Sequence, residues 1–157
     1  MNIGVFKLAL ALAIAGLLPT ATSRAADEDK SAEVDQLLIA AQRICPVSGE
    51  DLGGMGEPIK AESGKQTIFL CCKGCEGKSI SKENWKKVTA NLIAAQGNCP
   101  VLKKELPENA ASIVVEHRRI FVCCKMCIAK VEKDPDKYIA IVNEMLKKNL
   151  EESTHRG

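Results

Sequence analysis

The chain has 157 residues, with 22 Lys and Arg against 20 Asp and Glu, eight Cys, three Phe, one Trp and one Tyr. That length suits one domain or two small ones, and the near balance of charge argues against a nucleic-acid role resting on a basic surface. With so few aromatic residues, a small unit of this chain would struggle to bury enough apolar surface to be stable alone, so it needs a metal, disulfides or its neighbour.

In chain order, Lys7 and the terminal amine make a weakly positive start. An apolar run follows from Leu8 to Leu18, then Pro19 and the small polar stretch Thr20 to Ser23. This is the anatomy of a secretory signal peptide over residues 1–26, cleaved near Ala25 or Ala26. A membrane anchor is the competing reading, but the run falls short of the roughly 20 apolar residues that span a hydrocarbon core. No cysteine ends the run, so no lipoprotein attachment site is expected. Removal of Lys7 and Arg24 leaves the mature chain with 20 basic and 20 acidic residues. The expected location is periplasmic or secreted, with no membrane span after cleavage. The pairs Lys86-Lys87, Lys103-Lys104 and Lys147-Lys148 read as solvated faces.

Residues Ala26 to Ser31 are charged and predicted to be disordered. Ser31 is a good N-cap, and Val34, Leu37, Leu38, Ala41 and Ile44 follow at helical spacing. This helix must end before Pro46. A Gly-rich loop, Ser48 to Glu57, leads to two short strands, Ile59 to Glu62 and Gln66 to Cys71, with a turn at Ser63-Gly64. Gly74 and Gly77 allow a tight knuckle at the cysteines that follow. Ser81 is a candidate cap for a helix to Gln96 carrying Trp85, Val88, Leu92 and Ala95, closed by Gly97-Asn98. A second hairpin, Ile113 to Val115 and Arg119 to Val122, turns near Glu116-His117. Asp134-Pro135 opens a last helix with Tyr138, Ile141, Val142 and Met145 on one side. The polar tail Glu151 to Gly157 is expected to fray.

The chain matches itself. Leu38-Ile39-Ala40-Ala41-Gln42 before Cys45-Pro46-Val47 recurs as Leu92-Ile93-Ala94-Ala95-Gln96 before Cys99-Pro100-Val101, an offset of 54. Phe69-Leu70-Cys71-Cys72-Lys73-Gly74-Cys75 recurs as Phe121-Val122-Cys123-Cys124-Lys125-Met126-Cys127, an offset of 52. Self-similarity of this length reads as an internal duplication, each half one supersecondary unit. The expected class is α+β: two small modules at 32–97 and 86–150, each a β-hairpin, a cysteine knuckle and a helix, sharing the central helix 82–96.

All eight cysteines fall in these matches, four per half. Thiolates that converge on one point, usually four around a tetrahedral ion, hold a metal. A short turn supplies two ligands, and Cys45 or Cys99 is brought in as the hairpin folds back. Adjacent strand residues point to opposite faces. The expected ligands are therefore Cys45, Cys71 and Cys75, with Cys72 joining only if the knuckle turns early. The matching set is Cys99, Cys123 and Cys127, with Cys124 on the same condition. All-sulfur sites favour Zn(II) or Cu(I), one ion per module. Three ligands would leave a position open for exchange, and four would close the site. Met55 and Met126 are secondary thioether candidates, although packing or loop roles are commoner for Met. His117 and His155 are expected to be exposed rather than ligands.

Cys-Pro-Val-Ser-Gly at 45–49 and Ile-Phe-Leu-Cys-Cys-Lys-Gly-Cys at 68–75 resemble the TRASH and YHS group of small metal-binding modules. Ile-Phe-Val-Cys-Cys-Lys-Met-Cys at 120–127 and Asp-Pro-Asp-Lys-Tyr at 134–138 are similar to the same group. The resemblance covers 44–97 and 98–146. It implies treble-clef-like folds, ligand roles for Cys45, Cys71, Cys75, Cys99, Cys123 and Cys127, and work in heavy-metal sensing, trafficking or resistance. The spacers of 25 and 23 residues between the first two cysteines of each set are longer than the group's.

Two other readings compete. Disulfides could staple the modules for interaction with a partner, as the expected compartment permits, with 105 possible pairings of eight cysteines. Cys71-Cys72 and its copy argue against this, because adjacent cysteines do not easily bridge each other and must find separate partners. Alternatively, Cys72-x-x-Cys75 and Cys124-x-x-Cys127 could exchange disulfides, but a thioredoxin-type βαβ framework is missing and Cys45 and Cys99 would be left idle. No nucleophile–base motif, phosphate loop or metal-hydrolase helix is visible, so no enzyme is expected. The expected partners are metal ions and, for transfer, a second protein.

Overall fold

The computed structural model describes residues 22–155. The architecture is α+β, with helices α1 (Thr22–Gln42), α2 (Lys82–Gln96), α3 (Lys125–Lys133) and α4 (Pro135–Thr154) around two antiparallel hairpins. Strands β1 (Ile59–Ser63) and β2 (Gln66–Leu70) form the first hairpin, and β3 (Ala111–Val115) and β4 (Arg118–Val122) the second. The apolar leader run and the last two residues lie outside the described residues. Among those described, no helix is long and apolar enough to cross a membrane.

Helix α1 begins at Thr22, not at Ser31, so the stretch expected to be disordered is helical. Its Ala, Glu and Lys residues are strong helix formers, and neither Gly nor Pro interrupts them. At the other end α4 runs to Thr154, past the point where the tail was expected to fray. The cap at Ser81 stands as expected, its hydroxyl accepting from the Asn84 N–H. Gly97 closes α2 in a positive-φ conformation. Pro135 occupies the first turn of α4. Helix α3 was not among the helices given bounds from the sequence. The first knuckle is a single 3-10 turn, Lys73–Cys75, followed by Gly77 at φ 71°. The second has Met126 where Gly74 stands and no Gly before Asp134, so its turn propagates into a helix.

The two halves repeat the same bonds. Gln42 is buried and clamps the end of β2: its Oε1 accepts from the Phe69 N–H at 2.9 Å and its Nε2 donates to the Phe69 carbonyl at 2.7 Å. Gln96 does the same to Phe121, at 3.0 and 2.7 Å. Each glutamine also donates to the carbonyl two residues on, Ile44 or Asn98. The following loops match as well. The Cys45 N–H donates to the Glu50 carbonyl and the Cys99 N–H to the Lys104 carbonyl, both at 2.8 Å.

The halves are joined directly. The Thr67 N–H donates to the His117 carbonyl at 2.7 Å, and Arg119 donates to Gln66 at 2.6 Å while lying over the Trp85 ring. The larger apolar core gathers Phe121, Ile120, Val122, Val131, Val142 and Leu146 with Ala41 of α1. A smaller one holds Ile68 and Leu70 around Cys45, Cys71 and Cys75. Val88 on α2 and Val142 on α4 are buried as their spacing suggested, but Ile93 and Leu146 are also buried while Leu92 and Met145 are only partly so.

Arg43 takes φ 67° at the position where the matching loop has Gly97 at 68°. A side chain in this left-handed region is strained by roughly 1 kcal/mol or more. Arg43→Gly is therefore expected to raise stability by about 0.5–1 kcal/mol, glycine's added freedom in the unfolded chain offsetting part of the relief. Urea midpoints of the two proteins measure this, and a lower midpoint for the variant would refute it.

Candidate metal centres

Each cluster is assembled from two segments. Helix α1 ends at Gln42, and the tight loop from Arg43 delivers Cys45, whose carbonyl accepts from the Gly49 N–H. The N-terminus of α2 fixes this loop: the Ser81 N–H donates to the Pro46 carbonyl, and Asn84 Nδ2 donates to the Val47 carbonyl at 3.2 Å. Gly49 at φ 83° lies so close to Asn84 that an added Cβ would approach Oδ1 to 2.9 Å. Strand β2 delivers the other segment. It ends at Leu70, one residue earlier than expected, and the 3-10 turn begins at Lys73 after an extended Cys72.

The Sγ atoms of Cys45, Cys71 and Cys75 lie within 4.8 Å of one another, and so do those of Cys99, Cys123 and Cys127. These are the two triads expected from sequence. Cys72 lies beside two members of its triad but outside the group of three sulfurs that are all mutually within 4.8 Å. Its sulfur is 3.9 Å from that of Cys71 and 4.0 Å from that of Cys75, and Cys71 and Cys75 are 3.7 Å apart. Its backbone is extended, with φ −166° and ψ 164°, yet its sulfur does not point away from its neighbour's. In the second half, Cys124 Sγ is 3.3 Å from Cys127 Sγ. Sulfurs bound tetrahedrally at about 2.3 Å from zinc are separated by about 3.8 Å along each edge. The separations around Cys71, Cys72 and Cys75 are close to that edge. All eight cysteines are free thiols, and the separations far exceed the roughly 2.05 Å of a disulfide bond.

Burial grades the sulfurs. Cys45, Cys71 and Cys75 are buried and Cys72 is half-buried; Cys99 and Cys127 are buried and Cys123 and Cys124 half-buried. Burial pushes the Cys45 thiol up, but the N–H groups of Ser48, Cys71 and Val47 and the Ser48 hydroxyl outweigh it and bring it down to about 6. Cys99 is lowered likewise, its burial outweighed by the N–H groups of Cys123, Leu102 and Val101. Burial and the neighbouring thiols push Cys75 and Cys127 up to about 12. Each cluster thus holds two thiols shifted down, Cys45 with Cys72 and Cys99 with Cys124, beside two shifted up, Cys71 with Cys75 and Cys123 with Cys127.

A pH dependence of the metal-free protein follows. Cys45 titrates at about 6 when folded against 9.0 for a free thiol, so between these values the unfolded state binds more protons and stability rises with pH. Cys75 and Cys127 titrate at about 12, so from 9.0 upward the unfolded state loses their protons first and stability falls. Urea midpoints of the reduced, metal-free protein should therefore climb from pH 6 to 9 and decline above it; a flat profile across pH 6–9 would contradict the depressed Cys45 value.

The secondary candidates stand apart. Met55 is 65 % and Met126 80 % exposed. His117 Nδ1 is 3.4 Å from Glu62 Oε1, and His155 is exposed at the end of α4. Sequence reasoning missed the roles of Gln42, Gln96 and Ser48. The glutamines were visible as the last residue of the repeated Leu-Ile-Ala-Ala-Gln. Ser48, whose Oγ is 3.3 Å from Cys71 Sγ, carried no signal beyond its place in Cys-Pro-Val-Ser-Gly. Comparison with protein-family models, curated proteins and solved structures found no match to this chain.

Proposed function

We propose that this is an exported metal-binding protein in which each half holds one soft or borderline ion, Zn(II) or Cu(I), through cysteine thiolates. The role is binding and handling of metal, in trafficking or resistance, rather than catalysis, as the resemblance to the TRASH and YHS modules implies. The observation that carries the reading is the pair of thiol clusters, with sulfurs 3.7–4.0 Å apart in the first and 3.3 Å apart at Cys124 and Cys127 in the second. Buried thiols converge in this way where an ion gathers them, and soft ligands select soft ions. The half-buried Cys72 and Cys124 complete four-sulfur sets in this reading. X-ray absorption of the zinc-loaded protein tests it: a shell of sulfur alone at about 2.3 Å is expected, and a shell dominated by oxygen or nitrogen at about 2.0–2.1 Å would refute it.

A further inference from the structure

We propose that the two clusters are unequal in use: the first, braced by Ser48, retains its ion, and the second, opened at Cys123, Cys124 and Met126, exchanges its ion with an acceptor thiol. This rests on the metal-binding reading and divides its labour.

The matched loops allow a position-by-position comparison. Ser48 of the first loop corresponds to Leu102 of the second, because both loops close with the same bonds, Cys45 to Glu50 and Cys99 to Lys104. The Ser48 hydroxyl sits 3.3 Å from Cys71 Sγ. Leu102 can donate nothing to Cys123. A hydroxyl that donates to a bound thiolate neutralises part of its charge and blunts its attack on other electrophiles, so it holds the ligand in place.

Exposure points the same way. Cys71 is 1 % exposed and its counterpart Cys123 is half-buried. Gly74 is replaced at the second knuckle by Met126, a soft thioether 80 % exposed beside Cys127, and Leu102 is 45 % exposed beside the Cys99 loop. These are two of the three large apolar side chains exposed among the described residues. The second knuckle also opens α3, with Cys124 at its N-cap position, whereas the first ends after a single 3-10 turn. Exchange there balances simply. An acceptor thiol loses its proton and forms a bond to the ion; the bond from the ion to Cys124 breaks, and Cys124 takes up a proton.

The test is timed maleimide labelling of the zinc-loaded, reduced protein. Trypsin places each doubled cysteine in its own peptide, 66–73 and 120–125. Peptide 120–125 should label about ten-fold faster than 66–73, the scale of one hydrogen bond to a charged sulfur. Ser48→Ala should speed labelling of 66–73 and leave 120–125 unchanged, and Ser48→Thr, which keeps the hydroxyl, should restore the slow rate. Leu102→Ser should slow 120–125. Equal rates in the native protein, faster labelling of 66–73, or no response to Ser48→Ala would overturn the division of labour while leaving metal binding intact. A protein that takes up no zinc would overturn the proposed function itself.

Discussion

Cys45→Ser is expected to reduce the zinc held by the protein from one ion in each cluster to one ion in the second alone. Cys45 is fully buried, arrives on a different segment from the other sulfurs of its cluster, and carries the most acidic thiol there. Serine offers a hard, weakly acidic oxygen in place of a thiolate. Binding at a structural zinc site is worth about 10–16 kcal/mol, so the loss of one of its soft ligands should weaken the first site by several powers of ten. The second cluster is built from α2, β4 and α3 and should keep its ion. Elemental analysis after competition with a chromophoric chelator reads the result. Retention of both ions would remove Cys45 from the site. Cys99→Ser should give the mirror outcome.

Gln96→Ala is expected to destabilise the protein by about 3–5 kcal/mol, because it strands the Phe121 N–H and carbonyl in a buried setting at about 1–3 kcal/mol for each unsatisfied group and leaves a cavity. Gln96 is 2 % exposed and makes three hydrogen bonds to backbone. It ties the end of α2 to the end of β4, just before Cys123 and Cys124. A loss of that size is a large share of the roughly 5–15 kcal/mol that holds a typical domain. Gln96→Glu keeps the acceptor for the Phe121 N–H but sets an unpaired carboxylate against the Phe121 carbonyl, so it should be no milder. Denaturation of the zinc-free protein measures the effect without interference from ligand binding. A change below 1 kcal/mol would mean that the clamp contributes little.

Much of this was legible in the chain itself. The hairpins were marked by β-branched runs around Gly64 and around Glu116-His117, and the caps by Ser81, Gly97 and Pro135. The triads followed from where strands end and loops return. Three things were not legible. The extension of α1 to Thr22 needed weighing of helix propensity against charge. The growth of the second knuckle into α3 turned on one replacement, Gly74 by Met126, whose effect depends on the residues that follow. The place of Cys72 beside its triad depended on whether the backbone kept its strand direction for one more residue. Alternation argued against it, but β2 ends at Leu70 and the half-buried sulfur lies 3.9 Å from its neighbour.

Native mass spectrometry of the protein purified without added metal, with thiols counted after denaturation, tests the central claim most directly. The account expects one ion per cluster and all eight cysteines alkylatable, with the ion's mass distinguishing zinc from copper. A metal-free protein lacking eight hydrogens would mean that the cysteines are paired as disulfides, and the thiolate sites proposed above would be wrong.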